Sequence, residues 1–591
     1  MWQQARYKML DDYSSQDMFS DPMMEPKGAN VHHMMWRYSV KHCGTRKARM
    51  VCDGSARQGT ITLGHTFANS LDAASERLFW AITAQKGLVA YGADCSNAFA
   101  EAPPPQHPLY LRIDEAFREW WVQHLKRPPI PDNYTVVRVQ HAIQGHPESP
   151  RLWERLIDKI LRDNGLKPTK HEPCLYQGVV GGNYTIFLRQ VDDFAIAVVE
   201  ETTANYVIGK INEHLNLPIH IMGKVTRFNG IDIDQTRHYV KIHCKSYIQK
   251  LHLAHTWIPS THTHQPLPFP SDKASLNKLL QGETPNTPEE TVALEQRMGI
   301  KYRHAMGEVL FPMVKCRPDI SHHAILLSQY MNNPGEVHYT ALKAMMHYLV
   351  QTSSEGIHYW RQHPRLDLPE APWPNPHPDT HNNTDTKATN SPNLIGFVDS
   401  VWATSSKRRN SMTGTILMYA GGAVGYKSKF QTIIAHSSTE AEFVAACDTA
   451  KMILFFRSIL QDVGIEQREA TILFEDNHGA LMMANAQQPA RRTRHIGIKY
   501  FALLDWVEQD LLILEAIQTA NNAADAMTKP LTKQMFYRHY NTYMGLKTPE
   551  YCSQSNTKDS HTSAPHEYTS THTHTSNIRR VRSMGGYWTY V

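Results

Sequence analysis

Two adjacent carboxylates, Asp192 and Asp193, interrupt the segment YTIFLRQVDDFAIAVVE between two apolar, β-prone runs, which predicts a hairpin with the pair at its tip. Asp is a good turn residue, yet two-residue hairpins favour Asn-Gly or Asp-Gly and neighbouring like charges repel, so something cationic should relieve the pair. Alternation along a strand turns Asp192 toward that cation and leaves Asp193 at its margin. Asp94 is placed in a similar way in GLVAYGADCSNAFAEAPPP, where it closes an apolar run and is followed by Asn97 and Phe99. If Asp94 and Asp192 meet across neighbouring strands, they can hold two Mg²⁺ ions about 3.5–4 Å apart, one activating an attacking hydroxyl and one holding the leaving oxygens. That is phosphoryl-transfer chemistry. Asp11-Asp12 in YKMLDDYSSQ is the same dipeptide without flanking apolar strands, and no such role is expected for it.

Four further acids stand at element ends near the other end of the chain: Asp399 in LIGFVDSVWA, Glu442 in SSTEAEFVAA, Asp476 in TILFEDNHGA and Asp525 in NNAADAMTKPL. The elements that must position both sets can be read from periodicity. From Lys47 to about Leu251, short apolar runs (VVRV, YTIFL, FAIAVV, YVKI) alternate with helix-like stretches (ASERLFWAITAQ, SPRLWERLIDKILRDNG), the pattern of a mixed α/β domain. A Pro- and Thr-rich stretch follows, then helical periodicity in YRHAMGEVLFPMV, SHHAILLSQYMNN and HYTALKAMMHYLVQ. After a second Pro-rich linker comes a strand, a hairpin, a long helix, then strand, helix, strand and helix, a complete small α/β domain.

Length and composition agree with this division. At roughly 150 residues per domain, 591 residues correspond to about four compact units. A net charge of +5 is compatible with phosphate-rich partners without requiring them, and 41% apolar residues exclude wholesale disorder. Eight cysteines without a CxxC pair suggest neither a zinc knuckle nor a disulfide framework. The amino-terminal stretch lacks a secretory apolar region and no run approaches a membrane span, so no signal peptide, transmembrane segment or membrane partner is expected, and the location expected is intracellular, cytoplasmic or nuclear.

The ordered set RKARMV, GADCSNAFAEAP, AIQGHPESPRLWERL, RQVDDFAIAV and FNGIDI resembles the reverse transcriptase of copia-type retrotransposons, and VDS, SSTEAEF, EDN and ADAMTKPL resemble the ribonuclease H (RNase H) of the same elements. The resemblance covers about residues 40–545. It implies an α/β (α+β) fold: right-hand polymerase fingers and palm (41–255), a helical thumb or connection (296–362) and an RNase H-like α/β domain (393–535). Linkers are expected at 256–295 and 363–392, with a loose amino-terminal arm (1–40) and a partly disordered tail (536–591). It further implies an RNA-directed DNA polymerase and hybrid-cleaving nuclease of a Pol polyprotein fragment, with two Mg²⁺ at each site. The implied partners are an RNA template, a DNA primer, deoxynucleoside triphosphates and an RNA:DNA hybrid. By the same resemblance Asp94, Asp192 and Asp193 are the polymerase metal ligands, Lys47 and Arg49 lie near the incoming triphosphate, and Phe99 excludes a 2′-hydroxyl by clash.

In the nuclease region the resemblance makes Asp399, Glu442, Asp476 and Asp525 the ligands of a second two-metal centre. Glu440 competes with Glu442. Ser437 followed three residues later by Glu440 is a capping-box pattern that explains Glu440 structurally, and residues two apart on a helix point about 200° apart, so Glu442 is assigned to the metals. Arg491, Arg492, Arg494 and His495 form a basic cluster suited to hybrid phosphates. Two departures stand out: Gln190 where the family commonly has Tyr, and Glu148 where it commonly has Gln. A negative charge near nucleotide phosphates opposes binding, so weak or absent polymerisation is expected. The rival expectation is a degenerate or co-opted protein that binds nucleic acid without chemistry.

Overall fold

The apolar runs around Asp94 and Asp192 assemble into one six-stranded sheet, in the order His220–Lys224, Val89–Asp94, Asp193–Val198, Asn183–Gln190, Leu175–Val180, Leu166–Pro168. The computed structural model describes residues 2–547 apart from 41–43, 56–65, 96, 256, 258–265, 270–271, 378–391, 404–408 and 485–496. On one face of this palm sheet Val89, Tyr91 and Ala93 line up with Phe194, Ile196 and Val198. Against them pack Trp153, Ile157, Ile160 and Leu161, the apolar stripe of helix Ser149–Asp163, and Ala204, Val207, Ile208 and Ile211 of helix Glu201–Asn212.

Residues 1–40, expected as a loose arm, instead hold a helix and a strand built into the fold. Helix Gln3–Ser15 buries Met9, Leu10 and Tyr13 in a core with Met50, Leu111 and Val137. Strand Asn30–Val40 pairs antiparallel with Arg46–Cys52 and parallel with Leu109–Arg112. The core partners of Met9, Leu10 and Tyr13 include Leu111 and Val137, far along the chain, which no local pattern reveals. Asp11, for which no chemistry was expected, accepts a hydrogen bond from Trp120 Nε1 (2.8 Å) and pairs with His124 Nε2 (2.9 Å).

The linker expected at 256–295 contains helices Lys273–Leu280 and Pro288–Met298. Helices Tyr302–Lys315, Ser321–Ser328 and Glu336–Gln351 form the connection, which ends in strand Gly356–Trp360. That strand pairs with Tyr239–His243 and so completes a sheet begun before the connection. The last α/β region is a five-stranded sheet ordered Gly422–Phe430, Met412–Tyr419, Ile395–Val401, Thr471–Glu475, Leu512–Ala516, with helix Ser438–Asp462 packed on the strand that carries Asp399. Helix Lys533–Tyr543, expected to give way to a tail at residue 536, instead buries Phe536, Tyr537 and Tyr540, and Tyr540 donates to Glu355 at 3.0 Å. The remainder of the predicted tail, from 548, lies outside the described residues. Cys52, Cys95, Cys174, Cys244, Cys316 and Cys447 are free thiols, all buried.

Residues Met1–Thr548 form one compact unit. Arg77 joins its parts. Its guanidinium donates to the carbonyl of Val424 in the last sheet (2.8 Å) and to those of Val314 and Lys315 in the connection, and lies 4.3 Å from the Tyr426 ring centroid. Beside it, buried Glu76 pairs with Lys315 at 2.6 Å. Removing a buried donor leaves carbonyls without partners, at about 1–3 kcal/mol. Arg77→Met should therefore lower the thermal unfolding midpoint of the whole unit; an unchanged midpoint would count against the junction as a stabilising contact.

Two candidate carboxylate centres

The first centre is built by the hairpin of the palm sheet. Strand Asn183–Gln190 turns through Val191 and Asp192 into Asp193–Val198. Val191 has a φ of 57°, the left-handed region that a β-branched residue enters only under strain. Two contacts hold it there: Trp153 Nε1 donates to the Val191 carbonyl (2.7 Å), and the Cys95 N–H donates to the Asp192 carbonyl (3.0 Å).

Asp94 and Asp193 are direct cross-strand partners, and opposed residues in an antiparallel pair present their side chains on the same face. Asp193 is therefore not marginal, as strand alternation had implied. Asp192 lies in the turn, where strict alternation does not apply. Burial pushes the Asp193 carboxyl up to about 6, and Asp192 and Asp94 add to the rise. Burial also raises Asp192, helped by Asp94 and opposed by Arg49 and Lys47.

Those two cations lie on strand Arg46–Cys52, whose Ala48, Met50 and Cys52 are buried, so Lys47 and Arg49 occupy the opposite face. Phe99, half-buried, sits in the short helix Ala98–Glu101, five residues beyond Asp94. The two departures are accommodated locally. Gln190 Oε1 accepts the Leu71 N–H (3.3 Å), and buried Glu148 accepts the Gln106 N–H (3.3 Å).

In the second centre, Asp399 comes from the middle strand, Glu442 from the first turns of the long helix, and Asp476 from the residue after strand Thr471–Glu475. Each offers one carboxylate oxygen, and these atoms lie within 4.8 Å of one another, the only such group of acids, histidines or cysteines among the described residues. Glu440 is engaged elsewhere: Ser437 accepts its N–H (3.2 Å), and its carboxylate accepts the His436 N–H (2.7 Å). Asp525 is buried in the short helix Ala523–Met527 and pairs with Lys529 Nζ at 2.9 Å. Lys529 Nζ also stands 3.7 Å from Asp399, and Thr528 donates its hydroxyl to Asp399.

Burial is the main cause that raises the carboxyls of Asp399, Glu442, Glu475 and Asp525, and mutual repulsion adds to it. Glu475 rises to about 8 and Asp525 to about 7. Glu442 Oε2 and Glu475 Oε2 are buried with no hydrogen-bond partner among the described residues. Hard oxygen donors that repel one another and lack protein donors fit divalent cations. Glu475, Thr528 and Lys529 escaped the sequence reading, although each lies inside a motif already singled out. The basic cluster Arg491, Arg492, Arg494 and His495 lies outside the described residues.

No helix among the described residues is long and apolar enough to cross a membrane. Residues 21–256 match the family profile described as reverse transcriptase (RNA-dependent DNA polymerase). The retrovirus-related Pol polyprotein from transposon TNT 1-94 of Nicotiana tabacum is 24% identical over 519 residues, covering 86% of this chain and 35% of the relative. The corresponding polyprotein from transposon RE2 of Arabidopsis thaliana is 22% identical over 511 residues, covering 86% of this chain and 31% of the relative. The chain thus spans about a third of the length of these curated relatives. A solved structure of the foamy viral protease-reverse transcriptase in complex with double-stranded DNA is 13% identical, covers 87% of this chain and 69% of its own, and superposes with a TM-score of 0.41. Residues 21–256 thus match the reverse transcriptase family, and over most of its length the chain is similar to the Pol polyproteins of retrotransposons.

Proposed function

We propose that the chain is an RNA-directed DNA polymerase joined to a ribonuclease H that cleaves the RNA strand of an RNA:DNA hybrid. The observation that carries the reading is the gathering of acids distant in sequence into two centres, Asp94 with Asp192 and Asp193, and Asp399 with Glu442 and Asp476. A pair of Mg²⁺ ions at each centre supplies activation of the attacking oxygen and neutralisation of charge on the phosphate. Asp94, Asp192 and Asp193 would hold them at the palm; Asp399, Glu442, Asp476 and Asp525 would hold them at the nuclease. Lys47 and Arg49 face the triphosphate with positive charge, and Phe99 closes the space a 2′-hydroxyl would need. In the nuclease, Thr528 and Lys529 orient Asp399 and Asp525 before substrate arrives.

Template RNA, DNA primer and deoxynucleoside triphosphates are the substrates of the first centre, and the hybrid it produces is the substrate of the second. Assaying primer extension and hybrid cleavage separately, with Mg²⁺ and with EDTA, tests the reading; a purified chain with neither activity in Mg²⁺ would leave only a nucleic-acid-binding protein. Glu148 favours a weakened polymerase, because its buried carboxylate, held by the Gln106 N–H, adds a negative charge where nucleotide phosphates are to bind. Glu148→Gln should raise extension on homopolymer RNA about tenfold, the scale of one like-charge repulsion at intermediate distance. Robust wild-type extension that the substitution leaves unchanged would defeat this part of the proposal.

A further inference from the structure

Trp402 stands three residues past Asp399, where the chain leaves strand Ile395–Val401. It is 50% exposed, more than any other tryptophan among the described residues. Its indole N–H donates to the Ala435 carbonyl at 2.9 Å. The polar edge is thus satisfied within the chain, and what faces outward is apolar ring.

Ala435 lies in the loop between strand Gly422–Phe430 and helix Ser438–Asp462, the helix that carries Glu442. In the same loop Ile433 and Ile434 are 38% and 59% exposed. The loop is fastened to the helix start, since the His436 N–H donates to Glu440. Trp402 thus follows Asp399, and Ile433 and Ile434 precede Glu442, on the same chain segments, and the Trp402–Ala435 bond ties the two segments together. Exposed apolar side chains adjoining a polar site mark a contact surface. An acidic floor contributes nothing by itself to holding a polyanion, whereas an aromatic face binds bases and sugars irrespective of sequence.

We propose that Trp402 is a substrate-binding residue of the nuclease centre, its ring supporting a base or sugar of the RNA:DNA hybrid beside the reacting phosphate, an inference that rests on the nuclease reading above. The alternative is that Trp402 only anchors the 431–437 loop through its bond to Ala435. Single-turnover hybrid cleavage over a range of hybrid concentrations separates the two. Trp402→Ala raises the half-saturating hybrid concentration about tenfold, the scale of one lost aromatic stack, with little change in the saturated rate. Trp402→Phe, which keeps a ring but cannot donate to Ala435, stays within about threefold of wild type. Added hybrid with Ca²⁺ in place of Mg²⁺ changes the intrinsic tryptophan fluorescence of wild type, and Trp402→Phe diminishes that change. If Phe is as damaging as Ala, or Ala leaves half-saturation unmoved, or the fluorescence response is the same without Trp402, the inference is overturned while the nuclease reading stands. A wild-type chain that neither cleaves nor responds to hybrid overturns both.

Discussion

Glu442→Gln should abolish hybrid cleavage, by at least about 10²–10³-fold, while making the metal-free protein more stable in alkaline solution. The two effects have one cause. Glu442 is buried beside Glu475, Asp399 and Asp476, so the folded state favours its protonated form. Glu475, raised to about 8, and Asp525, raised to about 7, behave alike. Carboxyls whose folded values lie above their unfolded ones contribute stability that is fully present below the unfolded value, near 4.5 for Glu, and lost as pH rises through the folded value. In EDTA the wild type therefore loses thermal stability as pH climbs through about 7 and 8, and Mg²⁺ restores it by relieving the repulsion among ionised acids. The amide that Glu442→Gln introduces has no carboxyl proton to lose, so the variant should unfold at a higher temperature than wild type in EDTA above the Glu475 value of about 8, and gain less from Mg²⁺. Glu440→Gln should retain cleavage and lose helix stability on the order of 1 kcal/mol, since only its cap is affected. Cleavage that survives Glu442→Gln and fails in Glu440→Gln would reverse the assignment.

Asp193→Asn and Asp94→Asn should each eliminate primer extension to a similar extent and leave hybrid cleavage intact, because the two acids face one another across a single register position of the palm sheet. The wild-type extension rate should also fall as pH is lowered through about 6, where Asp193 takes up its proton. The sign follows from the chemistry: cation binding needs the ionised form, and burial with two like-charged neighbours holds Asp193 above the ordinary carboxylate range. Raising Mg²⁺ should move this pH dependence to lower pH, since the cation competes with the proton for the same oxygens. A pH profile flat on both sides of about 6, measured with saturating nucleotide and primer-template, would remove Asp193 from the metal-binding set.

Both motif sets were legible because a carboxylate closing an apolar strand is unusual on its own, and several in a family's order are more specific still. The capping role of Glu440 could be read from its spacing to Ser437 alone, since a cap involves neighbours one helical turn apart. Helix Gln3–Ser15 could not, because what fixes it is burial of Met9, Leu10 and Tyr13 in one core with Leu111 and Val137, far along the chain. The same holds for helix Lys533–Tyr543 and for Arg77, whose partners are more than two hundred residues away.

What the amino-acid order determined by itself was which acids end strands, which residue caps the long helix, and the family that their succession resembles. Only the tertiary structure decided that Asp193 rather than Asp192 stands directly opposite Asp94, that Glu475 and Lys529 share the second carboxylate centre, and that the segment matching the reverse transcriptase family and the last α/β region meet through Arg77. The reason is physical. Strand ends and caps are set by interactions within a few residues, whereas register, charge repulsion and burial arise between segments that no local pattern relates.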